Sequence, residues 1–307
     1  MGVTVADIRK PQRRQRDPWT DTKAKLHIGL NALNRHRLQP GLPDDLGGRR
    51  DKTPAMENLL ASERHFLEHE RANAHSLATA APERPDAFVE WFQELRQTGP
   101  GQGHRLFDFL EHEADPEQMR WFIQQEVAGE AGFEDLVALT QLRMPVRAKL
   151  EMARNYWDEM GRGKAQAMHG PLLADLARAL GVAATPPEAI LWESLAVANL
   201  MAGLAFQRHY AFQSVGALGV IELTAPTRAP KVANGLHRVG VARQASRYFR
   251  LHASVDLAHS REWNAEVLWT LVSDRPELAR HLGEGALMRL NAGARTFERY
   301  CREFGIE

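Results

Sequence analysis

Residues 246–273, SRYFRLHASVDLAHSREWNAEVLWTLVS, decide how this chain is read, because they set His252, Asp256 and His259 at i, i+4 and i+7. At about 100° per residue, those offsets stack three side chains on one stripe of a helix. Two imidazoles and a carboxylate facing the same way are ligands that iron, manganese and zinc all accept. The stripe alone is short, and its weight comes from upstream. Glu222 stands thirty residues earlier in GALGVIELT, and NYWDEMGRGKAQAMHGPL supplies Glu159 and His169, ten apart. Three carboxylates and three imidazoles make the inventory of a dinuclear non-heme site in a helical bundle, with carboxylates bridging and histidines terminal. Three anionic ligands against two divalent ions leave a net charge of about +1, so the site stays electrophilic toward dioxygen.

The rest of the chain sets limits on the chemistry. Its 307 residues can bury a large core, and 39 basic residues balance 39 acidic ones. No global field therefore favours nucleic acid or a membrane surface, and the expected partner is a small-molecule substrate. Cys301 is the single cysteine, which excludes an internal disulfide and thiolate metal clusters and fits a reducing cytoplasm. No apolar run approaches a membrane span, and the N-terminus lacks a secretory apolar region, so a cytoplasmic location is expected.

Three regions are expected. Residues 1–55, with RKPQRRQRDPW and LQPGLPDDLGGRRDKTP, read as a basic, Pro- and Gly-rich arm holding one short helix over residues 22–38. Residues 56–103 form a helical extension, its start marked by Thr53 and Pro54. Residues 104–307 are helical nearly throughout, with Asp115-Pro116 and Thr185-Pro186-Pro187 as helix starts and a last helix from about 275 to 304. No alternating segment with hairpin turns argues for a strand, and the fold class is all-α.

With Glu159, His169, Glu222 and the His252–Asp256–His259 stripe in this order on successive helices, residues 104–307 resemble the heme-oxygenase-like diiron oxygenase superfamily, also described as iron-containing redox enzymes. The resemblance implies a heme-oxygenase-like seven-helix bundle, here with an N-terminal extension, two iron ions, dioxygen as co-substrate and oxidation of a small organic molecule by N-oxygenation or by oxidative C–C cleavage or decarboxylation. Bundles of this kind commonly dimerise, so a homodimer is expected. Glu159 and Glu222 are the carboxylates expected at the catalytic centre. Glu159 is the expected bridge, Glu222 and Asp256 would share one ion with His252, and His169 and His259 would hold the other. Some relatives add a seventh carboxylate ligand one helix earlier. Glu126, Glu130 and Glu134 are available, and an antiparallel hairpin about residue 146 favours Glu130.

Other features have blander readings. His65 and His69 imitate a metal clip on a helix charged all round, which reads as solvated surface. His104 and His112 fall on a polar helix start and an exposed face. Arg208, His209 and Tyr210 read either as a structural hydrogen-bonded cluster or as a pocket wall in which Arg208, beside Tyr210, anchors a substrate carboxylate. The same bundle also serves cofactorless thiaminase-like and pyrroloquinoline-quinone-forming enzymes, and a non-catalytic metal-binding protein is a further alternative. Residues 118–143 contain no histidine to ligate heme.

Overall fold

Helix α9 (Trp192–Phe206) is apolar on every side, and residues 193–205 are all buried. A helix without a polar face must be covered all round, and α9 is packed by α1 (Pro18–Leu38), α2 (Thr53–Ala78), α5 (Pro116–Gly129), α6 (Phe133–Thr140), α10 (Ala211–Arg238) and α14 (Leu278–Phe304). Helices α3 (Pro85–Thr98), α4 (Arg105–His112), α7 (Val146–Glu159), α8 (His169–Ala179), α11 (Arg247–His252), α12 (Val255–Glu262) and α13 (Trp269–Asp274) complete the chain. A π-helical segment, Trp263–Leu268, joins α12 to α13. The computed structural model describes residues 18–42, 53–130, 132–253 and 255–306, and among these there is no strand. Among the described residues no helix is long and apolar enough to cross a membrane.

Several expectations shift. The short helix expected over 22–38 is a 21-residue helix that packs on α9 through buried His27, Leu30, Leu33 and Asn34. Residues 18–38 are therefore part of the bundle; the arm expected for 1–17 and 43–52 lies outside the described residues. Asp115 caps α5 with a reciprocal box, accepting from Gln118 N at 2.8 Å while Asp115 N donates to Gln118 Oε1 at 2.9 Å. Thr185-Pro186-Pro187 opens only a short 3-10 turn, and α9 begins at Trp192. The helical pattern expected to run through residues 186–224 is broken at Gln207, whose extended backbone separates α9 from α10.

Helices α10 and α14 cross so closely that glycine is required on both. A Cβ on Gly216 would lie 1.9 Å from the Leu282 carbonyl oxygen, and one on Gly285 would lie 1.8 Å from that of Gln213. Helix α10 also runs through Pro226 and Pro230. Each proline forfeits a backbone hydrogen bond, and packing against α4, α9 and α14 holds the helix nonetheless. Buried side chains form two apolar clusters, one around α1–α3, α9 and the first half of α10, the other around α4, α5, α8 and the second half of α10. The polar site lies between them.

Candidate metal centre

Glu159 is the last residue of α7 and His169 the first of α8. Between them Gly161, Arg162 and Gly163 all have positive φ, at 62°, 52° and 80°. The ten-residue separation is thus a chain reversal rather than helical spacing. His252 ends α11 and Asp256 lies in the first turn of α12, so the expected single stripe is divided between two short helices. Glu222 sits within α10, and Pro226, four residues on, removes the N–H that would otherwise bond its carbonyl.

Two groups of three converge. Glu159, His169 and His252 present ligand atoms within 4.8 Å of one another, and so do Glu159, Glu222 and His259. Glu159 belongs to both, with a different oxygen in each. Its Oε2 is 2.8 Å from His169 Nδ1, which in turn is 3.1 Å from His252 Nε2. Its Oε1 is 3.7 Å from His259 Nδ1, and Glu222 Oε2 is 3.3 Å from that same nitrogen. Two ligands on one ion at ordinary bond lengths stand about 3.0–3.4 Å apart, so these spacings suit a cation at the centre of each group.

The orientation of each imidazole points the same way. His252 Nδ1 is 2.7 Å from the Tyr248 carbonyl, His259 Nε2 is 3.2 Å from Asp158 Oδ2, and His169 Nε2 is 2.6 Å from Glu130 Oε1. An N–H donated outward in each case leaves the inward nitrogen with the lone pair that a metal needs. Asn155 Nδ2 likewise donates to Glu222 Oε1 at 2.7 Å, leaving Oε2 toward the site. His259 Nδ1 is buried without a hydrogen-bond partner. Such an orphan is costly, and a cation between it, Glu159 and Glu222 would satisfy it. The donor set therefore fits one or two first-row metal ions, iron among them.

Burial and neighbouring charges shift His169, His259, His252 and Asp256. Burial disfavours charge on His169, yet Glu130 and Glu159 on its two nitrogens hold its pKa well above the ordinary value. His259, opposed by burial but faced by Glu222, Glu159 and Asp158, is pushed up to about 10. His252 is lowered by burial and by the charge on His169. Burial, then Glu222 and Glu159, raise Asp256 well above the carboxylate range. A cation bound here would compete with protons for the same nitrogens and carboxylate oxygens.

The structure groups the ligands differently from the pairing expected from sequence. His252 lies with His169, and Glu222 with His259, because α11 packs on α8 while α10 packs on α12. Asp256 is buried and lines the same cavity, outside both groups of three. Glu130, expected as a seventh ligand, binds the outer nitrogen of His169 and accepts from Tyr248 OH at 3.1 Å. Glu126 accepts from Tyr300 OH at 3.4 Å, and Glu134 is in the first turn of α6 with Oε2 buried and unbonded. Arg208 is exposed and donates to the carbonyls of Leu139, Thr140 and Leu142, while Tyr210 bonds Glu68; neither lines the cavity. The structural-cluster reading of these two is the one the geometry matches. His65, His69, His112 and His209 are exposed, and His104 caps α4 and meets Glu298.

Asp158, Asn155 and Tyr248 were not singled out from sequence. Asn155 carried a usable signal, since it lies four residues before Glu159 and so on the same helical face. Tyr248 bears the same relation to His252. Asp158 carried none, being a helix-terminal acid that reads as a partner for Arg162, which it also is, at 2.6 Å.

Beside the two groups lies a cavity of about 110 Å³. Phe107, Phe122, Phe133, Val197, Met201 and Ile221 are among its apolar lining, and Glu159, His169, Glu222, His252 and Asp256 are among its polar lining.

A family model described as iron-containing redox enzyme matches residues 120–294, more than half of the chain. The match begins in α5, ends in α14 and contains every residue of the two ligand groups. A search of curated proteins finds no match.

Proposed function

The chain belongs to the iron-containing redox enzyme family, and on that premise we propose that it is a dinuclear non-heme iron oxygenase or oxidase that uses dioxygen to oxidise a small organic substrate. The observation carrying this reading is the division of Glu159, whose two oxygens face two different sets of donors, Oε2 toward His169 and Oε1 toward His259. A carboxylate so placed can join two ions. His169 and His252 would complete one position, Glu222 and His259 the other, with Asp256 in reserve beside both.

Bound iron supplies the electron transfer through which dioxygen, unreactive toward most organic molecules, becomes an oxidant. The protein's own contribution is positional. Tyr248 O, Asp158 and Glu130 fix the three imidazole rings, and Asn155 fixes Glu222. The apolar wall admits a small substrate while limiting bulk water. Tyr248 donates its phenolic proton to Glu130 at 3.1 Å, and its oxygen lies 3.0 Å from His169 Nε2.

Anaerobic loading of the full chain with ferrous iron should bind two ions per chain and give dioxygen uptake on mixing with oxygenated buffer. Glu159→Ala should lose at least one ion and lower uptake about a hundredfold or more. Iron content below about a tenth of an equivalent in the wild-type protein would remove this reading. Substrate turnover indifferent to iron would favour a cofactorless enzyme instead.

A further inference from the structure

Two cationic side chains in the same cavity have no evident structural task. Arg228, on α10, and Arg289, on α14, both line it alongside Glu126, Tyr248 and the ligand residues. Neither forms an ion pair with any carboxylate among the described residues. Arg228 donates to Thr224 Oγ1 at 3.2 Å and lies 5.8 Å from the Phe297 ring centre. Arg289 donates no hydrogen bond among the described residues, and its Nε is enclosed without a partner. Space has been left for this group: a Cβ on Gly293 would come within 2.9 Å of Arg289 Nη1.

The surrounding charges do not balance them. Burial lowers the pKa of Arg228, against the pull of Glu126, Asp256 and Tyr248. Arg289 is brought down to about 10, first by burial and then by Arg228 itself, against Glu126, Glu130 and Tyr300. Both remain charged at neutral pH and are close enough to repel. Of the nearby acids, Glu130 is engaged by His169 and Tyr248, and Asp256 lies beside the ligand groups. Glu126 is left, itself raised by burial, with a single long bond from Tyr300. Both side chains are half-buried and line the cavity, and a planar fork of donors facing a cavity is the ordinary receptor for a carboxylate.

We propose that Arg228 and Arg289 form an anion-binding subsite that grips the carboxylate of a small organic acid, whose apolar body lies along the Phe122–Met201–Ile221 wall beside Glu159 and the histidines. The assignment rests on the iron-site reading for its catalytic meaning, but the subsite itself needs no metal. It also moves the carboxylate anchor suggested for Arg208 to residues that line the cavity. Glu126 is the one carboxylate near the pair that is not already engaged elsewhere, so the subsite has an excess of cationic groups.

Calorimetric titration of the full chain, metal-free and separately after anaerobic ferrous loading, tests the proposal with butanoate, hexanoate and phenylacetate, and with hexanamide, hexylamine and hexyl phosphate as comparisons. At least one acid should bind both forms, and the amide and amine should bind it at least tenfold more weakly. Arg289→Met should weaken acid binding about thirtyfold, with iron content unchanged and a melting temperature no lower than wild type. Arg228→Met carries the same expectation should the first variant fail to fold. No binding by any of the three acids, amide binding equal to acid binding, tighter binding of hexyl phosphate, or unchanged acid affinity in Arg289→Met would each overturn it. Acid binding that survives in a chain unable to take up iron would sink the iron reading and leave this one standing.

Discussion

Asp158 and Glu159 are neighbours at the end of α7 with different tasks: Glu159 faces both ligand groups, and Asp158 turns outward to hold His259 Nε2 at 3.2 Å. Outer partners of this kind set the tautomer and orientation of a metal-binding imidazole, and their loss typically costs 10–100-fold in affinity. Asp158→Asn should therefore weaken ferrous binding about tenfold or more, read by competition with a chromophoric chelator, with little change in the far-UV spectrum of the metal-free protein. Unchanged affinity would show that His259 is held by other means. The candidate ligands could be picked out from sequence because carboxylates and imidazoles advertise their chemistry by type. Asp158 was not, since adjacent residues on a helix point about 100° apart and nothing local says which of two acids turns inward.

Helical periodicity identified most elements, yet their breaks escaped it. His252 and Asp256 keep helical spacing across a division between α11 and α12, while Glu159 and His169 are joined by a positive-φ reversal at Gly161–Gly163. Spacing rules treat a helix as uninterrupted, and only the packing of α8 on α11 brings His169 against His252. Glycine in α10 and α14 serves a different need. At Gly285 an added methyl would meet backbone, which cannot swing aside as a side chain can. Gly285→Ala should then cost about 3 kcal/mol or more, measured as a lower denaturant midpoint at constant slope. A midpoint matching wild type would mean that the two helices stand further apart than described. Because α10 carries both Glu222 and Arg228, the same variant should disturb the cavity.

At the scale of the molecule, α1 closes the exposed side of α9 through a polar contact inside an apolar setting. Asn199 Nδ2 donates to the His27 carbonyl at 2.9 Å, and Asn34 Nδ2 to Asn199 Oδ1 at 2.8 Å. Burial, with Arg295 and Lys23 nearby, lowers the His27 pKa to about 3. A folded pKa below the unfolded value means that the unfolded chain takes up the proton first. Stability from this residue is complete above pH 6.5 and declines as pH falls toward 3, by up to about 1.4 kcal/mol per unit. Urea midpoints for the wild type and His27→Gln should converge between pH 7 and pH 5, the wild type losing about 2 kcal/mol more over that interval; parallel losses would place His27 in solvent. By itself the sequence determined an all-helical chain and a candidate donor set of carboxylate and imidazole without thiolate, because residue type and short-range periodicity are local properties. Only the tertiary structure decided that His252 sits with His169 and Glu222 with His259, that Glu130 stands behind an imidazole, and that two arginines line the cavity without forming an ion pair among the described residues. Those are distances between atoms far apart along the chain, and they follow from which helices pack together.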